Sequence, residues 1–181
     1  MKYTLIFLLF FSLANKIIAQ QENAVTKVFI VRHAEKEPGK DPVLTPAGII
    51  RAGDLLRALK DEGVQKIYVS QYRRTQMTAD SMRIQLGIDT VQYAADTLCD
   101  NLVNTIMEHR DFGKTILIVA HSNTIPHIIR KLGVTDFPRG DLPDAEFDNL
   151  FLITYKKEKA KLKQTKYGAP AAASAPMKAL Q

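Results

Sequence analysis

The sequence predicts an α/β fold, a three-layer α/β/α sandwich around a mostly parallel sheet, and three observations predict it. Short apolar runs rich in β-branched residues alternate along the chain with stretches of helical length and period. Those runs are apolar throughout instead of at every second residue, the pattern of strands covered on both faces. Polar and charged residues follow closely on three of them, where sheets of this kind gather their ligand sites beyond the carboxyl ends of the strands.

Taken in order, Lys27–Val31 reads as the first strand and runs into "VRHAEK" (residues 31–36), where a buried strand ends in a cation and an imidazole. Pro46–Leu59 reads as a helix, with Ile49, Ile50, Leu55, Leu56 and Leu59 largely on one face. Thr45 caps its start and Pro46 takes the first position, where the missing N–H has no partner to lose. Lys66–Ser70 is the second strand, Thr75–Leu86 a helix, Thr90–Tyr93 a short strand and Leu98–His109 the next helix. Thr115–Ala120 repeats the opening arrangement, an apolar run closed by His121, and the helix Ile125–Leu132 begins just after it. A Pro-rich loop, Gly133–Phe147, leads into the last strand, Leu150–Tyr155. The order β-α-β-α-β-α-β-α-β shows no internal repeat. It describes one domain over residues 20–155, about 135 residues, enough to bury a hydrophobic core.

The two ends read differently. Residues 1–19 have the form of a signal peptide: Lys2 supplies the positive start, Thr4–Ala14 the apolar run and Ala19 the cleavage point, although Ile17 is large for the position three before the cut. The run is shorter than the ~20 residues a bilayer span needs, so no stable membrane insertion is expected after cleavage, and the mature protein is expected to be exported, periplasmic or secreted. The net charge of +6 would suit a nucleic-acid binder if it lay on the domain. It does not: residues 20–155 carry sixteen basic and eighteen acidic side chains, whereas residues 156–181 carry seven Lys and one Glu. That Lys-, Ala- and Pro-rich end is expected to be a flexible tail, and no nucleic-acid partner is expected. The single cysteine, Cys99, has no partner for an internal disulfide and no base patterned beside it, so it reads as a small buried apolar residue.

The expected edge gathers Arg32, His33, Arg73 or Arg74, His121 and the backbone amides near Ser122 and Asn123. One histidine at a strand end is ordinarily a packing residue. Two of them beside arginines are another matter, because buried cations without an anionic ligand are costly. Phosphate suits the set: guanidinium gives paired bonds to its oxygens, helix-end amides add oriented donors, and an imidazole in line with phosphorus can attack it. Arginines repel divalent cations, which argues against a two-metal phosphoesterase. A serine hydrolase using Ser122 would want glycines two residues to either side of it, where Ala120 and Thr124 stand. A non-catalytic phosphate binder on the same fold is the other alternative.

Three motifs, "VRHAEK", "SQYRRTQMTA" and "VAHSNT", each closing a strand and standing in this order, resemble the histidine phosphatase superfamily over essentially Val25–Tyr155. The resemblance implies a phosphoglycerate mutase-like fold and a phosphatase acting without cofactor or metal on a small phosphorylated substrate or a phosphoprotein. It implies that His33 is the phosphorylated nucleophile, Arg32 its phosphate-binding neighbour, and His121 the second histidine that donates to the phosphoryl oxygens. The family's Ser, three residues, Arg, then Thr-Ala spacing counts from Ser70 to Arg74, with Thr78-Ala79 in register. Ala34 and Ser122-Asn123 stand where the family often has glycine, and Ser122 and Asn123 are expected to add phosphate contacts. Leaving-group protonation needs an acid. Asp96, just past the third strand, is the candidate, ahead of Glu37 and then Asp144 or Asp148, although a turn Asp is also ordinary at that place. The short segment between Arg74 and His121 leaves little chain to shield a phosphohistidine from water, which favours hydrolysis over mutase chemistry.

Overall fold

The structure, a computed structural model, describes residues 25–156 and 159–170. The expected signal peptide and residues 171–181 of the expected tail lie outside the described residues. The elements are β1 Thr26–Arg32, α1 Pro46–Leu59, β2 Lys66–Ser70, α2 Arg73–Leu86, β3 Thr90–Tyr93, α3 Asp100–Glu108, β4 Thr115–Ala120, α4 Ile125–Lys131, β5 Asn149–Lys156 and β6 Lys159–Lys166. They form one sheet in the order β3-β2-β4-β1-β5-β6. The first four strands pair in parallel. β5 runs antiparallel to β1, and β6 antiparallel to β5.

Successive side chains of a strand point to opposite faces, and here both faces are covered. Val28 and Ile30 of β1 join Ile116 and Ile118 of β4 beneath Leu102 and Ile106 of α3 and Ile128 and Ile129 of α4. Phe29 and Val31 join Leu117 and Val119 beneath Leu55 and Leu59 of α1 and Ala79 and Met82 of α2. The expected three-layer sandwich is the fold, and its two apolar faces are why the strands read as continuous runs.

Three details depart from the sequence reading. Ile49 and Ile50 are 58% and 64% exposed, because α1 buries the stripe Gly48, Arg51, Ala52, Leu55 and Leu59. A Cβ on Gly48 would collide with the Glu35 carbonyl, so only glycine lets the start of α1 press on the loop after β1. α3 begins at Asp100 and leaves Leu98 exposed. The largest departure is β6, since the sequence reading closes the domain at 155 and gives the following lysines to a tail. The strand is formed by a period of two hidden among them: Ala160 and Leu162 pack beside the α3–α4 layer, while Lys159, Lys161 and Lys163 are exposed. Lysines along an edge strand keep its open rim from pairing with another chain.

The register Val31↔Val119 and Arg32↔Ala120 ends β1 and β4 together, and the His33 N–H donates to the Ala120 carbonyl at 2.9 Å. The two histidine-bearing strand ends are thereby neighbours at the centre of the sheet.

Candidate active site

His33 and His121 face each other at the carboxyl edge, their rings 5.3 Å apart, edge to face and nearly fully buried. His33 Nδ1 lies 2.9 Å from the carbonyl of Ala34. A carbonyl only accepts, so Nδ1 carries the proton and Nε2 keeps its lone pair. The Ala34 N–H donates to Thr78 Oγ1 at 2.9 Å, and that hydroxyl donates to the Arg74 carbonyl at 2.7 Å. Thr78 thus ties the loop after β1 to the first turns of α2.

His121 is fixed through both ring nitrogens. Arg74 Nη2 donates to Nδ1 at 3.3 Å, which leaves the proton on Nε2, and Nε2 donates to Ser70 Oγ at 2.9 Å. Ser70 Oγ lies 2.9 Å from Thr75 Oγ1 and continues this buried chain. Burial lowers the His33 pKa from 6.5 to about 3; the Ala34 carbonyl opposes the shift, and His121, Arg32 and Arg74 add to it. Burial, with Arg74 and Arg32, lowers His121 to about 4. Both rings are therefore neutral in the free protein at neutral pH.

The arginines stand on either side. Arg32 Nη1 donates to the carbonyls of Pro143 at 3.1 Å and Asp144 at 2.9 Å, and its guanidinium lies 4.2 Å from the ring centre of Phe147. Arg74 lies 4.3 Å from the ring centre of Tyr72, with Asp41 3.9 Å from its Nη1. Each arginine keeps a buried Nε–H without an acceptor among the described residues. Burial lowers the pKa of both, and so disfavours the uncompensated cation. Among the described residues no group of three or more His, Cys, Asp or Glu side chains could hold a metal ion.

The structure thus brings together Arg32, His33, Arg74 and His121. Ser122 and Asn123 follow directly on His121, and the Ser122 carbonyl accepts from the Leu142 N–H at 3.1 Å. α4 is a single short helix, so the oriented amides the sequence led us to expect there amount to less than two turns. Asp96 is engaged elsewhere: its two oxygens accept from the backbone N–H groups of Asp100 and Asn101 at 3.2 and 3.1 Å, at the start of α3. Desolvation pushes its pKa up, but N–H groups of Asn101, Asp100, Cys99 and Leu98 outweigh this and hold it below the usual value, so the carboxyl is ionised. Asp144 projects its carboxylate into solvent 3.9 Å from Arg32. Asp148 binds Lys166 at 2.8 Å. Glu35 is paired bidentately with Arg51. Burial raises the Cys99 thiol to about 12, and its sulfur faces the Asp96 and Thr124 carbonyls, as an inert buried residue would. Sequence reasoning missed Tyr72, Phe147 and the carbonyls of residues 143–146, for which nothing local gives a signal. It had Ser70 and Thr78 in view as markers of spacing, and their hydroxyls are the signal that finds their role.

Fold and site together resemble those of the histidine phosphatases. Residues 28–96 match the model of the histidine phosphatase superfamily (branch 1). No curated protein matches the chain. Among solved structures, a protein assigned as phosphohistidine phosphatase SixA of Nakamurella multipartitia is similar, with 20% identity, a TM-score of 0.58 and coverage of 82% of this chain and 98% of that one. A phosphoglycerate mutase of Bacillus anthracis gives 15% identity, a TM-score of 0.63 and coverage of 81% and 95%. The protein histidine phosphatase SixA in complex with tungstate gives 18%, 0.58, 77% and 96%. At such identities these likenesses speak to the fold, and the family match over residues 28–96 supports the resemblance drawn from the motifs.

Proposed function

We propose that this phosphatase hydrolyses phosphomonoesters in two displacements through a phosphohistidine on His33, without a metal. The single observation that carries this reading is the pair of buried arginine Nε–H donors without acceptors among the described residues, beside two neutral, facing imidazoles. An anion of the charge and size of phosphate answers both features. The tungstate in the SixA structure is a tetrahedral oxyanion of the same kind.

In the first step the His33 Nε2 lone pair forms a bond to phosphorus while the ester P–O bond breaks, and the leaving oxygen takes a proton from solvent. Arg32 and Arg74 hold the equatorial oxygens. His121, neutral in the free protein, takes up a proton when the dianion arrives and donates through Nδ1, displacing its contact with Arg74. In the second step water attacks phosphorus, the P–N bond breaks and phosphate leaves, restoring His33. Ser122 and Asn123 flank the oxyanion. The substrate is a small phosphorylated molecule or a phosphoprotein, met outside the cytoplasm after removal of residues 1–19; the N-terminal sequence of the mature protein checks the last point.

Incubation with labelled substrate and an alkaline quench, which preserves the P–N bond, should trap labelled wild-type protein and leave His33→Ala unlabelled. Turnover should persist in excess chelator. Label retained without His33, or hydrolysis abolished by chelator, overturns the proposal. Phosphate binding with no hydrolysis of any ester in a panel identifies a binding protein instead.

A further inference from the structure

We infer that Arg51 is a positioning residue, the centre of a clamp through which the segment Tyr167–Ala169, just past β6, holds the His33 loop in register; this rests on the reading of His33 as nucleophile. Arg51 lies on α1 and is 5% exposed. Its Nε donates to both oxygens of Glu35 at 2.8 Å, and its Nη2 donates to Glu35 Oε1 at 2.7 Å. Glu35 is two residues after His33. The remaining guanidinium nitrogen, Nη1, turns the other way and donates to the carbonyls of Tyr167 at 3.4 Å and Ala169 at 3.1 Å. One planar fork therefore joins the catalytic loop to the end of the described chain.

The local backbone is built for this. Gly168 has φ +69, and a Cβ there would stand 2.6 Å from Asp54 Oδ2. Only glycine makes that left-handed turn without strain at such close quarters, and the turn is what lets the carbonyls on either side of it reach one nitrogen. Tyr167 is 4% exposed, and its N–H donates to the Asp148 carbonyl at 2.9 Å, so the segment is itself anchored. On the other side, the Glu35 carbonyl accepts from the Thr45 N–H at 2.9 Å. The loop after β1 is thus held at Ala34 by Thr78, at the Glu35 backbone by Thr45 and at the Glu35 side chain by Arg51. Of these three, the last alone extends to the C-terminal segment. Lysine could not replace Arg51, since a point charge cannot serve a carboxylate in two bonds and two carbonyls behind it.

The clamp acts on where the His33 ring sits and not on the phosphate, so its loss separates transfer from binding. In the full-length protein, Arg51→Met, Glu35→Gln, the double variant and Gly168→Val are compared. The readouts are the single-turnover rate of phosphohistidine formation, inhibition by inorganic phosphate, and thermal melting. Displacements of about an ångström lower such rates by up to ~100-fold. The expected result is a roughly ten- to hundredfold slower transfer in Arg51→Met, phosphate inhibition within about threefold of wild type, a double variant no slower than the worse single one, and a loss in the same direction for Gly168→Val. Unchanged transfer at a lowered melting temperature would make Arg51 merely structural, and multiplying losses in the double variant would show that it does not act through Glu35. Either result overturns the clamp. If the wild type forms no phosphohistidine, the catalytic reading has failed and the clamp is judged on the His33 ring resonances. A common displacement in Arg51→Met, Glu35→Gln and Gly168→Val sustains it, and an unmoved ring sinks it.

Discussion

His33 and His121 differ from ordinary histidines in one respect that a titration can read. Folded, they protonate near 3 and near 4, whereas unfolded they do so at about 6.5. The unfolded chain therefore binds more protons between these limits. The sign is unambiguous: this contribution to stability is fully present above pH 6.5, declines as the pH falls through the window and is gone below the folded values. Ring proton resonances of the free protein should place both midpoints well under 6.5, and bound inorganic phosphate should raise that of His121, whose neighbour Arg74 would then face an anion. A midpoint near 6.5 for either ring in the free protein would contradict their burial beside the arginines. Ser70→Ala removes the acceptor of the His121 Nε2–H. A buried donor left unpaired costs about 1–3 kcal/mol, and turnover should fall with it, while Ser70→Thr, which keeps the hydroxyl, should recover part of the loss.

At the scale of elements, Asp96 shows how a residue type in the right place can serve a neighbour. Its carboxylate receives the first amides of α3, the work a capping side chain does. Asp96→Ala should accordingly lower stability by about 1 kcal/mol in urea unfolding and leave hydrolysis close to wild type. A general acid would show instead a loss of about 10²–10⁴ in rate, and that outcome would return Asp96 to the chemistry. The strands of the central sheet were legible as short, continuous apolar runs, and the helices between them by their length and period. The positions of His33, Arg74 and His121 were legible because each follows a strand at a fixed spacing. β6 was not, since Ala160 and Leu162 are two small apolar signals among lysines and only pairing with β5 reveals them. Nor were the contacts of Arg32 Nη1 and Arg51 Nη1, which go to backbone carbonyls, groups every residue carries and no sequence distinguishes.

Over the whole molecule the two ends of the sheet do different work. The carboxyl end holds the histidines and arginines. Near the other end, just before β4, Asp111 is fully buried and accepts the Tyr68 hydroxyl at 2.5 Å. Removing that carboxylate leaves the phenol buried without a partner, so Asp111→Ala should cost about 2–3 kcal/mol in stability with little change in turnover of the protein that remains folded. A comparable drop in turnover would mean that the two ends are coupled. β1, which carries His33, is not at a rim: it is hydrogen-bonded to β4 on one side and to β5 on the other. Strands so enclosed exchange their amide hydrogens only when the whole domain opens. The amides of Phe29 to Val31 should then be among the last to take up deuterium, and heat inactivation should coincide with the unfolding transition, because the backbone that presents His33 has no way to fray ahead of the rest.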